Sequence, residues 1–170
     1  TGMDSKISES KIKAYQHFAN KIWNAARFVL MNTEEFDDNP KPKLTHNDKK
    51  HLEELRLICR KTTKNMDEYK FYIAGERLYH YFWHTFADKI IEESKKSLNN
   101  SDKKASTQYV LIEILKTSLK LLHPFMPFIT EEIWSRFARQ IEDPRFLGKK
   151  SEQIPNEYER LLIIQSWPDK

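Results

Sequence analysis

Residues 20 to 32, NKIWNAARFVLMN, carry three asparagines, an arginine and a phenylalanine where a surface helix would normally carry lysine and glutamate. At about 100° per residue, Tyr15, Phe18, Ile22, Ala26 and Val29 share one arc, the expected core side. Lys13, His17, Asn20, Asn24, Arg27 and Met31 share the opposite arc, with Phe28 at its margin. Asparagine is a poor helix former and phenylalanine is costly in water, so helix propensity did not select this face. An asparagine amide both donates and accepts hydrogen bonds, an arginine presents a planar fork of donors, and a phenyl ring is a flat apolar plate. Unpaired RNA bases, with hydrogen-bonding edges and π-faces, match that set. The competing reading pairs Asn20, Asn24 and Arg27 with side chains of neighbouring helices and uses Phe28 to fill a gap between them.

The elements that must position this face are helical. Apolar residues at three- and four-residue spacing, beginning with Ile12, predict a first helix over about residues 9–31. TEEFDDNPKPK, residues 33–43, reads as a loop. Thr45 with Asp48 forms a capping-box pattern, and a second helix runs from there to about Met66, burying Leu52, Leu55, Ile58 and Cys59. A third, rich in aromatics, covers about residues 71–96, through Phe71, Ala74, Leu78, Tyr81, Phe82 and Phe86. The polar stretch SLNNSDKKAS, residues 97–106, reads as a loop before a fourth helix defined by Tyr109, Ile112, Leu115, Leu119 and Leu122. Pro124 and Pro127 must end it. Thr130 then caps a fifth helix, with Glu131 and Glu132 in its first turn and Ile133, Trp134 and Phe137 on its inner face. After Glu142 the chain is rich in proline and charge, and residues 161–164 before Trp167 and Pro168 read as a short strand. The expected fold is therefore all-α: one domain over residues 1–170, with a bundle of about five helices in 1–142 and an irregular tail with a short strand in 143–170.

Composition agrees. With 170 residues, 39% of them hydrophobic, the chain is long enough to bury a core, and three glycines and seven prolines are too few for the turns of a sandwich or barrel. The lone cysteine, Cys59, cannot form an internal disulfide and reads as inert core, which predicts a reducing, cytoplasmic setting. No membrane span or signal pattern is present. Thr1 and Gly2 precede Met3, the only plausible initiator, so the expectation is an excised piece of a longer polypeptide. Residues 1–32 carry five bases against two acids and residues 41–64 eight against three, which suits a polyanion lying along the first two helices or, equally, a solvated surface.

Other chemistry is poorly supported. Glu76, His80, His84 and Asp88 recur every four residues, but on an α-helix each such step drifts about 40°, so the four cannot converge on one metal ion, and no metal site is expected. His123 before Pro124 reads as a helix C-cap satisfying free carbonyls. There is no glycine-rich phosphate loop, so no catalytic residues are assigned.

NKIWNAARFVLMN, then YHYFWHTFADKIIEESK, then LKLLHPFMPFITEEIW and a closing LIIQSWP, in that order over nearly the whole chain, resemble the helical anticodon-binding domain of class I aminoacyl-tRNA synthetases for Val, Ile, Leu and Met. HPFMPFITEEIW is shared across that group, while NAARFVLMN with FWHTFAD leans to the valyl-tRNA synthetases. The resemblance implies a bundle that grips the anticodon stem-loop of tRNA, with valine tRNA the expected partner. A separate catalytic domain of the same polypeptide, using ATP and magnesium, would charge the tRNA. Neither HIGH nor KMSKS, the family's ATP signatures, is found here, so this chain alone is expected to be no enzyme and to need no cofactor, and a monomer is expected. Carried onto this chain, Asn20, Asn24, Arg27 and Phe28 face the anticodon, with His17 and Lys13 on the same arc. The pattern departs from the family at Asp88-Lys89, where an Asp-Trp pair is frequent, and at the end, where a coiled-coil arm would be expected after Trp167-Pro168. The same domain of the isoleucine, leucine or methionine enzyme is one alternative. A helical protein-protein adaptor anchored by Trp23 and Phe28 is another.

Overall fold

A computed structural model describes residues 8–34, 36, 37, 40–141 and 161–168, with the side chains of 138–141 outside the description. Among these residues the fold is all-α. Helix α1 (Glu9–Asn32) opens at Ser8, whose side chain accepts from the Lys11 N–H, and closes at buried Thr33, whose hydroxyl donates to Val29 O at 2.9 Å. Helix α2 (His46–Asp67) starts at the expected capping box: Asp48 N–H donates to Thr45 Oγ1 and Thr45 N–H to Asp48 Oδ2. The Lys70 N–H returns to Asn65 O at 2.8 Å, with Tyr69 held at φ 57°, and the chain reverses into the next helix.

That helix is continuous over the expected span but changes register: α3 (Phe71–His80), a π-helical stretch (Tyr81–Ile90) and α4 (Ile91–Leu98). The Ile91 N–H bonds five residues back, to Phe86 O. The wider turn lets Tyr81, Phe82, Phe86, Ala87 and Ile90 all point inward, a set that no straight 3.6-residue stripe brings together.

The expected loop over 97–106 shrinks to a turn at Asn99 and Asn100, because Asn100 Oδ1 accepts the Asp102 N–H at 3.0 Å and starts α5 (Ser101–Leu122) at once. Residues 101–104 are polar, and with Ala105 exposed, because they form the outer first turns of a helix, not because they form a loop.

The two prolines end α5 as expected, but the corner is built differently. Pro127 itself opens α6 (Pro127–Ile141), at a position where its missing N–H costs nothing. Thr130 therefore lies in the first turn rather than at the cap: its buried hydroxyl donates to Met126 O at 2.9 Å and lies 2.8 Å from His123 Nδ1. His123 does not cap free carbonyls. Its ring donates Nδ1–H to Thr130 and clamps the two sides of the corner. His123→Ala should cost about 1 kcal/mol of stability, measured by urea unfolding, and His123→Gln should recover part of it.

The tail residues 161–164, expected as a strand, form a 3-10 turn (Leu162–Ile164) instead. No neighbouring strand exists among the described residues. The Leu162 N–H bonds Glu131 Oε1 at 2.8 Å, its side chain is buried, and Trp167 Nε1–H reaches Thr63 Oγ1 at 2.9 Å on α2. The expected break after Glu142, residues 142–160, lies outside the described residues.

The long α3–π–α4 helix occupies the middle: α2 packs on α3 and α5, while α1 packs on the π stretch, α5 and α6. Phe82, Phe86, Ile22, Leu111, Ile114, Leu115 and Ile133 fill the centre. Ile12 and Tyr15, expected in the core, are 57% and 67% exposed, since the first turns of α1 have no helix to cover their apolar side.

Candidate nucleic-acid interface

The polar arc of α1 is intact in the structure. Lys13, His17, Asn20, Asn24, Arg27 and Met31 are all exposed, while Phe18, Ile22, Ala25, Ala26 and Val29 hold the opposite face in the core. The side chains of His17, Asn20, Asn24 and Arg27 form no hydrogen bond or ion pair with any described residue. Their hydrogen-bonding capacity is therefore free for a ligand. Lys13 is 2.7 Å from Glu9, an exposed pair worth little in water and readily exchanged for a phosphate. Phe28 differs from the others: it is half-buried and packs against the core, and Asn32 Nδ2 donates to its carbonyl at 2.8 Å.

The polar arc has a wall that the sequence did not disclose. Ala14, His17, Asn20, Lys21 and Asn24 line an open groove of about 490 Å³ together with Tyr79 and Trp83 of the long helix. Phe18 packs under this wall, 4.7 Å from Tyr79 and stacked on Trp83 at 6.1 Å. Trp83 thus has one face supported and borders the groove that Asn20 and Asn24 also line. Lys21 lies 5.4 Å from the Trp83 ring centre and is hydrogen-bonded to Asp88, which is also 3.5 Å from His84 Nδ1. The cue was present in the YHYFWH stretch, where Tyr79 and Trp83 are four residues apart and so share a helix face; the run of α1 beside that face brings Asn20 to it.

The Lys21 hydrogen bond holds the Asp88 carboxyl below the usual carboxylate value, against a smaller opposing effect of partial burial, with the Lys21 and His84 charges adding to the lowering. A lowered carboxyl pKa stabilises the fold above the unfolded-state value and loses that contribution as pH falls through the folded-state value. Solvent screens this half-exposed pair. A carbon-detected NMR titration should place Asp88 below its value in the unfolded chain, and Lys21→Met should raise it; no change in Lys21→Met would contradict the assignment of the cause.

Glu76, His80 and His84 line one open groove, with the two imidazole rings 5.6 Å apart, while Asp88, 3.5 Å from His84, turns its carboxylate to Lys21. Among the described residues no three His, Cys, Asp or Glu side chains form a group able to hold a metal. Trp23, a suggested adaptor anchor, is covered by the Arg136 guanidinium at 5.0 Å from its ring centre. With Phe28 packed on the core, neither aromatic is a free anchor. No helix among the described residues is long and apolar enough to cross a membrane.

A helical bundle presenting a row of unspent amide and guanidinium groups beside an aromatic wall defines a nucleic-acid-binding domain. Residues 48–170 match the family described as the anticodon-binding domain of tRNA ligase, and the chain belongs to that family. It is similar to the valine–tRNA ligase of Pseudothermotoga lettingae, 47% identical over 168 residues, which cover 99% of this chain and 17% of that protein. The valine–tRNA ligase of Fervidobacterium nodosum is 44% identical over 170 residues, again 99% of this chain and 17% of that protein. The enzyme of Oceanobacillus iheyensis is 37% identical over 169 residues, 96% of this chain and 19% of that protein. The chain thus spans less than a fifth of the length of these relatives. Helix α1 lies outside the family match and inside the alignments with the first two, so its reading rests on relatives as well as on geometry. The matched family is a binding domain of ligases and not their catalytic part.

Proposed function

We propose that this chain is the anticodon-binding domain of a valine–tRNA ligase and that the outer face of α1 receives the anticodon loop of a valine tRNA. Asn20 and Asn24 read base edges, Arg27 contacts a base or the adjoining phosphate, and His17 and Lys13 extend the contact toward the stem. Phe28 supports the loop from its remaining exposed surface. The observation that carries this reading is the unspent polar row, four side chains with no partner among the described residues, set against the Tyr79 and Trp83 rings. Amides and rings of this kind discriminate bases, while bare lysines only hold phosphate.

The rest of the ligase, with ATP and magnesium, forms the aminoacyl-adenylate and charges the tRNA; the present domain positions the tRNA, needs no cofactor, and works as a cytoplasmic monomer. Fluorescence titration against anticodon stem-loops of valine, isoleucine, leucine and methionine tRNAs tests this directly. The valine loop should bind tightest, and its affinity should fall steeply with salt because phosphate contacts release counterions. Equal binding of all four loops, or preference for another, would overturn the valine assignment; salt-independent binding would overturn RNA recognition.

A further inference from the structure

The polar arc of α1 has a second border. Lys21 and Trp23 stand two residues apart, about 200° around an α-helix, so they flank Asn20, Asn24 and Arg27 on opposite sides. On the Lys21 side is the Trp83 ring, its centre 5.4 Å from the ammonium. On the Trp23 side is α6, whose Arg136 guanidinium carbon lies 5.0 Å from the Trp23 ring centre. Helix α1 packs on both the π stretch and α6. Its outer face therefore runs between two indoles, each with a cation over it.

The two cations differ in what they have left to offer. Lys21 is tied to Asp88, so the Trp83 border presents mainly a ring. Arg136 is half-exposed, and Glu132 takes its Nε–H at 2.9 Å and an Nη2–H at 2.7 Å, both on Oε1. Its other donors meet no described residue. The indole beneath and the carboxylate beside it hold the planar fork in place before any ligand arrives, so little side-chain entropy remains to be lost. Arg27 follows Trp23 by four residues and so shares its side of α1, again without a partner among the described residues. Two guanidinium groups thus border one indole, and Glu132 is the one carboxylate bonded to either among the described residues. That edge is net positive, and guanidinium forks match the paired oxygens of a phosphodiester.

We propose that Arg136 of α6 is a backbone-binding residue: a phosphodiester of the RNA loop sits at the Trp23 border, held by Arg136 beside Arg27, while the bases cross Asn20 and Asn24 toward Trp83. The phosphate takes the donors that Glu132 leaves, and Glu132 competes for the rest. An exposed carboxylate–guanidinium pair contributes little in water, so that exchange costs little. In sequence, Glu132 and Arg136 look like an ordinary surface pair four residues apart; only the seat on Trp23 brings the arginine to the arc. The inference rests on the outer face of α1 receiving RNA and deepens that reading by fixing which way the loop lies across it.

The test is fluorescence titration of the chain with the valine, isoleucine, leucine and methionine anticodon stem-loops over a range of salt, with melting curves on the same samples to show each variant folded. Arg136→Gln should weaken binding roughly five- to tenfold for every loop alike and shrink the salt slope by about one. Arg136→Lys, which keeps the charge and loses the fork, should keep the slope and recover only part of the affinity. Glu132→Gln should tighten binding roughly two- to threefold by releasing the guanidinium, a gain that Arg136→Gln in the same chain should abolish. A residue that merely covers Trp23 would change the melting temperature and leave the slope and the Glu132→Gln affinity at the parent values; that result overturns the proposal. So does a loss confined to some anticodons with the slope unchanged, which would make Arg136 a base contact. Asn20→Ala with Asn24→Ala separates the two readings. Discrimination lost there with Arg136→Gln silent keeps the α1 reading and overturns this one; no effect there with a shrunken slope in Arg136→Gln sinks the base contacts and leaves the phosphate contact standing.

Discussion

Trp134→Ala should lower the unfolding free energy by about 3 to 5 kcal/mol, the range for removing a buried large aromatic. At this chain length that corresponds to a drop in melting temperature of roughly 6–20 °C. Trp134 is 6% exposed, lies 5.7 Å from the Phe137 ring, and carries the Lys120 ammonium 5.7 Å from its ring centre. Lys120 in turn donates to Ser166 O, so the indole supports the seat of the returning tail as well as the α5–α6 contact. Loss of Trp134 opens a cavity that Leu-sized neighbours cannot fill without moving α6. Differential scanning calorimetry checks the value, and an unchanged melting temperature would remove Trp134 from the core.

The largest effect on binding should come from Arg27→Ala. The side chain is exposed and has no partner among the described residues, so its removal should leave the bundle intact while deleting a whole charged fork. Stem-loop binding should weaken by about 1–3 kcal/mol. If Arg27 holds phosphate, every loop loses alike and the salt slope shrinks by about one; if it reads a base edge, the slope stays and discrimination among anticodons relaxes. Phe28→Ala is the contrasting variant. Its ring packs on the core, so it should lose stability as well as the about 1–3 kcal/mol of a stacked base, and the two losses separate when melting and binding are measured on the same sample. A folded Arg27→Ala chain that binds every loop as tightly as the parent would contradict the role given to α1.

Much of this architecture was legible because single residues announce local geometry. Thr45 and Asp48 mark a helix start with two reciprocal bonds, Pro124 and Pro127 forbid helix continuation, and the polar arc of α1 follows from spacing alone. What was not legible depends on neighbours. Ile12 and Tyr15 keep the apolar period, yet a helix that begins beyond its partners leaves its own stripe in solvent. The π register has no composition signal, and it turns Tyr81, Phe82, Phe86, Ala87 and Ile90 all inward. Polar residues of exposed helical turns, Ser101–Lys104, look like a loop until a cap at Asn100 is seen to organise them. Lys21 escaped notice because it falls between the two arcs of α1; only its contacts with Asp88 and Trp83 place it in the wall. The Pro127 start displaced the cap position by four residues, from the expected Thr130 to Met126, and with it the role of His123.

The central claim is that the unspent side chains on α1 touch the anticodon loop. The direct measurement is an NMR titration of the chain with a valine anticodon stem-loop, following the side-chain amide signals of Asn20 and Asn24, the Arg27 Nε–H and the Trp83 indole N–H. The account expects these four signals to shift together and saturate at one equivalent, with the Trp167 indole signal, tied to Thr63 on α2, unmoved. Shifts confined to α2, or to Tyr69 and Tyr72, with Asn20 and Asn24 unchanged at saturation, would contradict it.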